Sequence, residues 1–378
     1  MAFQYGEDEI GYFVPETTYA TAVKPAATDA FPATRITISP TYDRLTVPDR
    51  RGTRSVVQKV AGRKGATFTV EGSLRPSGTA GTAPDMADLL KHTFGTQTIV
   101  GATSVAYTLL KDPSGLFGTL YRKLPDILEG CYGSIVQSAN FTFASDAFLV
   151  ASFSGIASDT LRAGTGQANG AGSGATALIV DELDHYSKYG IVDVGGDDNS
   201  GAGYQITAVT HSTETATLES TATWSDNEAV VPFVPTGTIT GDPLYGTVGS
   251  MSWDGGSSTV DIVSGSASIN TGIGLFTPFG SETPTKVTLE GERTVTFEIT
   301  MLMDHLQYQE VGEAYRKIQQ SVVLTLGDTA GKRCKLRCPQ TEIDAPELSG
   351  GSGLIEVTLR GDAIASASFE DEFNIIFD

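Results

Sequence analysis

Cysteine, histidine and tryptophan are scarce here, at three, four and two among 378 residues. Cys131, Cys334 and Cys338 are an odd set, which excludes a disulfide framework and fits a reducing compartment. Cys334 and Cys338 would share a strand face, yet two further metal ligands are missing nearby, so all three read as buried thiols. No apolar run approaches the roughly eighteen residues of a membrane span. Met1 to Ile10 carries neither a basic nor an apolar leader region, so synthesis and folding in the cytoplasm are expected. Charged side chains make up only 19%, which suits packed sheets and subunit contacts better than disorder.

Catalytic patterns are missing too. There is no GxxxxGK[ST], GxSxG or HExxH, and no GxGxxG placed between a strand and a helix. His92 and His305 fall in helix-like segments and read as structural. Asp197 to Gly201 resembles part of a calcium loop but lacks the Glu at its twelfth position, so it reads as a turn. Asp181, Glu182 and Asp184 could imitate glycosidase acids, with only Trp224 and Trp253 as sugar platforms; a surface acidic patch is the better account. No reaction and no cofactor or metal are expected.

What the chain does have is glycine, 43 of them, with abundant Thr and Ser and apolar runs of strand length. That describes a β-rich protein with many turns. Its length exceeds what one hydrophobic core usually serves, so two or three domains are expected. The net charge of -20 opposes binding to phosphate backbones. Against that background, Arg35, Arg44, Arg50, Arg51, Arg54, Lys59, Arg63 and Lys64 face only Asp43 and Asp49, a local +6 over residues 35 to 64. Such opposed patches suit self-complementary assembly; a solvated basic loop is the plainer alternative.

One order of elements occurs twice. A strand-like run, Gly65 to Leu74, precedes a helix-like segment, Pro84 to Phe94; Arg293 to Met303 precedes Asp304 to Tyr315 in the same way. A hairpin-like pair follows each, Val105 to Lys111 with Thr119 to Leu124, then Val322 to Leu326 with Lys332 to Cys338. Each copy closes on a strand ending in glycine, Phe148 to Gly155 and Leu354 to Gly361. The expected organisation is an extended, proline-bearing arm (1–33), a first unit (34–160), an inserted acidic β domain (161–237) and a second unit (238–378). The insert opens on a linker-like Gly/Ser/Ala stretch, 165–174, and carries ten acidic residues against Arg162 and Lys188. Pro40 to Lys64 and Thr271 to Thr285 are expected as two long functional loops, the second exposing Phe276 and Phe279.

The arm Ile10 to Ala22, the segment Phe68 to Pro76 before the helix, the hairpin Gly133 to Gly155 and the acidic end Glu370 to Phe377 together resemble the major tail tube proteins of long-tailed bacteriophages. The resemblance covers nearly all of the chain outside 161–237. It implies a β-sandwich or barrel-like unit with one flanking helix, here expected twice; from its own residues the stretch 161–237 is expected as a small inserted β-barrel, placed on the tube exterior. It also implies a virion protein whose copies close into rings that stack into a hollow tube for genomic DNA. Partners on that reading are the chain itself, tape-measure, tail-terminator and distal tail or baseplate proteins, with DNA only as cargo in an acidic lumen and no membrane. Two units per chain would give three subunits in a sixfold-like ring; otherwise six chains are expected. Contacts between subunits or rings would fall on Arg44, Arg50, Arg51, Arg54, Lys59, Arg63, Lys64, Phe276 and Phe279. The competing readings are an adhesive, carbohydrate-binding β protein using the insert, and a β-rich glycosidase.

Overall fold

The protein is described by a computed structural model for residues 9–47, 58–253, 258–260, 262–302, 312, 319–344, 347–349, 355–366 and 369–378. It is mainly β and its sheets are antiparallel. The first unit comprises β1 (Ile10–Pro15), β2 (Ala30–Phe31), β3 (Arg35–Thr46), β4 (Lys59–Ser73), α1 (Ala87–Phe94), β5 (Gly95–Val100), β6 (Ser104–Leu109), β7 (Gly118–Leu124), β8 (Ile127–Ala144), β9 (Val150–Ala157) and β10 (Asp159–Gly164). The insert holds β11 (Gly166–Gln167), β12 (Gly172–Ile179), β13 (Ile191–Val194), β14 (Tyr204–Thr210), β15 (Thr215–Trp224) and β16 (Ala229–Pro232). The second unit runs β17 (Gly249–Trp253), β18 (Ser258–Val260), β19 (Ile262–Asn270), β20 (Ile273–Phe276), β21 (Lys286–Leu289), β22 (Thr294–Leu302), β23 (Gln320–Leu326), β24 (Cys334–Ile343), β25 (Glu347–Ser349), β26 (Glu356–Ala363) and β27 (Asn374–Phe377).

Strand pairing shows the duplication more sharply than sequence does. In the first unit the ladder order is β3-β4-β9-β8, and in the second it is β19-β22-β26-β24. An outer layer repeats as well, β1-β7-β8-β10 matching β17-β23-β24-β27. The long strands β8 and β24 therefore belong to both layers, their first halves in the outer and their second halves in the inner. A shared Phe–Gly contact marks equivalent positions: Phe68 lies opposite Gly155, and Phe297 opposite Gly361. A Cβ on Gly155 would stand 2.0 Å from the Ile135 carbonyl oxygen, and one on Gly361 2.3 Å from that of Glu342, so both positions need glycine.

The two inner sheets join edge to edge. Residues 138–144 of β8 pair with 264–270 of β19, making one eight-stranded sheet, β3-β4-β9-β8-β19-β22-β26-β24. Alternation places Phe68, Val70, Phe141, Phe153, Phe297, Ile299 and Leu359 on its covered face. They share a single core with α1 and the outer strands, in which Phe94, Phe141 and Phe373 meet ring to ring across the two units. The arm is part of this architecture, because β1 pairs along β7. Among the described residues, no helix is long and apolar enough to cross a membrane.

Several sequence expectations need correction. Within the stretch Pro40 to Lys64 the described residues are not an irregular loop, since β3 and β4 stay paired out to Thr46 and Lys59 and so satisfy their own backbone groups, while residues 48–57 lie outside the described residues. Val105 to Lys111 does not pair with Thr119 to Leu124: β6 pairs with β5 and β27, while β7 pairs with β1 and β8. The missed strand is β5, which starts at the glycine that stops α1; Gly95, at φ 109°, turns the chain straight into it. Asp85, just ahead of α1, accepts hydrogen bonds from the Thr240 N–H and hydroxyl at 2.8 and 2.9 Å. The helix expected at Asp304 to Tyr315 falls almost wholly outside the described residues.

The glycine-rich stretch 165–174 is likewise no free linker, because β11 and the start of β12 lie in it. The insert sheet runs β11-β16-β13-β14-β15-β12, and an Ala168–Val180 bridge ties its ends together into a small barrel. Its core is continuous with Tyr12, Val14 and Ala30 of the arm and with Tyr121, Leu128, Leu161 and Ala163 of the outer layer. Tyr12 donates to the Pro235 carbonyl at 2.7 Å and Gln205 to that of Ala22 at 3.3 Å, so arm and insert brace each other.

Candidate assembly surface

Beyond the sheet, β3 and β4 continue as a two-stranded ribbon. A bulge between Tyr42 and Arg44 shifts the register, after which Arg44 faces Ala61, Leu45 faces Val60 and Thr46 faces Lys59. Tyr42, Leu45 and Val60 are exposed, Leu45 to 63%. Of the candidate contact residues, Arg44, Lys59, Arg63 and Lys64 lie on this ribbon, whereas Arg50, Arg51 and Arg54 lie outside the described residues. Four cations beside Asp43 make the described part of the ribbon basic. The exposed apolar side chains were not evident from sequence, because Tyr42 and Leu45 are three apart and do not follow the two-residue period of a strand.

The second unit carries the equivalent feature in a bent form. Where β3 and β4 run straight, the β19–β22 ladder breaks after Asn270, turns at Gly272 (φ 66°) and continues as the β20–β21 hairpin. That hairpin folds over the first unit. Gln137 donates to the Ile273 carbonyl at 2.9 Å, and Ser158 to that of Pro284 at 3.1 Å. Its tip reaches the root of the ribbon: the Lys64 N–H donates to the Glu282 carbonyl at 2.7 Å, their side chains pair at 3.4 Å, and Arg63 reaches the Thr277 carbonyl at 3.4 Å. The backbone bond matters most, because an ion pair this exposed adds about 0–1 kcal/mol. Thus Arg63 and Lys64 are brought together with the loop bearing Phe276 and Phe279, and both rings remain exposed, Phe279 completely.

The opposite end of the sheet also presents aromatic surface. Past the β8–β9 turn, Phe148 and Tyr245 are exposed and stack with centroids 5.3 Å apart. Isolated exposed hydrophobes are ordinary, whereas these are grouped at both ends of one sheet.

The uncovered face of the eight-stranded sheet is mostly hydroxyls, with Asn140 and the apolar Val150, Ile156 and Leu302 among them. Thr37, Thr67, Thr69, Ser73, Ser138, Asn140, Ser152, Ser154, Ser266, Ser268, Thr296, Thr300 and Thr358 alternate with the core positions. Ser268 and Thr296 hydrogen-bond at 2.6 Å, and Thr300 and Thr358 at 3.1 Å. Arg35 stands opposite Glu71 and Arg360 opposite Glu298, while Glu342, Glu356 and Asp362 leave the face slightly acidic.

Chemically reactive groups are buried away from these surfaces. Burial pushes the Cys131 and Cys338 thiols up to about 12, and Cys334 upward as well. His92 is almost fully buried between the Asp88 and Phe117 carbonyls at 2.7 and 3.2 Å; burial outweighs those contacts and pushes its pKa down to about 4. Among the described residues no cluster of His, Cys, Asp and Glu could hold a metal ion.

The described chain is a mainly β, antiparallel scaffold with one exposed ribbon and exposed aromatic side chains at both ends of its sheet. Residues 6–369 match the family described as phage tail tube protein, and the chain belongs to that family. Its role is structural, as a tail tube component of the virion. No curated protein matches the chain.

Proposed function

We propose that copies of this chain close into rings that stack as the hollow tube through which the phage genome passes, with three chains per ring. The observation that carries this reading is the internal β8–β19 seam. Two equivalent four-stranded sheets already sit side by side within one chain, so rings built of sheet units are continued rather than invented by adding copies. Three chains supply six units.

On this reading the hydroxyl face lines the bore. It offers DNA no cation cluster, and its slight acidity disfavours adhesion to phosphate. The ribbon extends from one end of the sheet and the Phe148–Tyr245 pair from the other, an arrangement suited to head-to-tail stacking. The barrel at 166–232 then sits on the tube exterior. Tape-measure, tail-terminator and distal tail proteins are the further partners that a tube of this family requires. Negative-stain electron microscopy of the purified chain tests the proposal: end views should show a central hole with three equal subunits. Strictly monomeric material at high concentration would refute it.

A further inference from the structure

The internal seam is a template for a seam between chains. Among the described residues β3 pairs only with β4, and β25 only with β26, so the eight-stranded sheet has one open edge at each end. Pro40 near the end of the sheet portion of β3 fits an edge strand, where a missing N–H is tolerated. Open edges of this kind are sites for strand addition.

Equivalences between the units fix the register. Ala267 faces Phe297 as Ile38 faces Phe68, so Ala267 and Ile38 hold the same place. With Gly361 equivalent to Gly155, Leu348 pairs with Val357 as Phe141 pairs with Ala151, so Leu348 holds the place of Phe141. Within the chain, Phe141 lies opposite Ala267, with Asn140 opposite Ser268 and Thr142 opposite Ser266.

We infer that β3 of a second copy adds antiparallel to β25, with Leu348 opposite Ile38, Glu347 opposite Ser39 and Ser349 opposite Thr37. This rests on the ring reading above and names its partner strands. Each chain then presents β25 to one neighbour and β3 to the other, and every junction around the ring repeats the β8–β19 geometry. A slip by one residue would turn the core face of β3 outward, so the register is strongly specified.

Paired cysteines read this directly. Directly opposite residues have Cβ atoms about 4.5–5.5 Å apart, whereas diagonal neighbours are about 7–8 Å apart and poorly placed for a disulfide. The full-length chain carrying Ser39→Cys with Glu347→Cys, oxidised mildly after assembly, should lose its monomer band to covalent oligomers up to a trimer, reversed by reductant. Thr37→Cys with Ser349→Cys should do the same. Thr37→Cys with Glu347→Cys, and each single variant, should remain monomeric on the gel, because the native thiols are buried. Rings visible by microscopy without the Ser39–Glu347 link, or equal linking by the offset pair, would overturn this register and leave the ring reading standing. Absence of any ring would overturn both.

Discussion

His92 shows at the residue scale how burial decides what a side chain does. Its ring stands edge-on to Phe13, with centroids 4.9 Å apart, inside the core between β1 and α1. A folded-state pKa near 4, below the unfolded value of about 6.5, means that the unfolded chain binds the extra proton between those values. Stability is therefore retained above about pH 6.5 and falls as pH drops toward 4, by up to about 3 kcal/mol. Glu16 works in the opposite direction. Burial raises its carboxyl pKa despite bonds from Thr119 and Gly133, so its folded state gains relative stability on protonation. Denaturant titrations at pH 7 and pH 4.5 should show the loss in the native chain and a flatter profile in His92→Gln. An unchanged profile in that variant would assign the acid sensitivity to other groups. The residue types at these two positions were plain in the sequence, but their burial was not, because burial depends on strands far away in the chain.

Between elements, the ribbon and the β20–β21 hairpin show how one repeated feature took two forms. The sequence pointed to both stretches by charge and by exposed phenylalanine, and the structure places them in contact within one chain. It did not reveal that the described part of the first is a paired ribbon, because a register broken by the Tyr42–Arg44 bulge hides the two-residue period. We expect the charge-reversed chain Arg50→Glu, Arg51→Glu and Arg54→Glu to keep its fold and ring closure but to lose tube growth, since none of these positions belongs to the described pairing of β3 with β4. Circular dichroism would check the fold, and microscopy the length of tubes. Tubes of normal length would remove the basic segment from stacking. Lys64→Glu is a different case. It adds repulsion against Glu282 at an internal contact, so a stability loss within about 1 kcal/mol is expected.

For the whole molecule, the proposed tube makes the uncovered sheet face the surface whose composition bears on cargo. Its hydroxyls bond to one another across strands, and Arg35 and Arg360 each stand opposite a glutamate, so cations are not presented in a cluster. Thr67→Lys combined with Ser268→Lys should leave ring assembly intact. It should also make assembled tubes retain short duplex DNA, with retention falling steeply as salt rises. Retention equal to that of the native chain would place this face away from the bore. The net charge of -20 gave a global expectation of repulsion, and the structure refines it: the acidic excess of the insert lies in the separate barrel, not on this face.

The sequence by itself determined the β-rich class, the family, the repeated strands now seen as β4 with β22 and β9 with β26, and the two stretches that now meet at Lys64 and Glu282. It could do so because period-two patterning, glycine placement and charge runs are local properties. Only the tertiary structure decided which strands are neighbours: that β8 receives β19, that β6 receives β27 rather than β7, and that the barrel shares a core with the arm. Alternation states which face of a strand is covered, while the choice of partner is made by packing between residues more than a hundred positions apart.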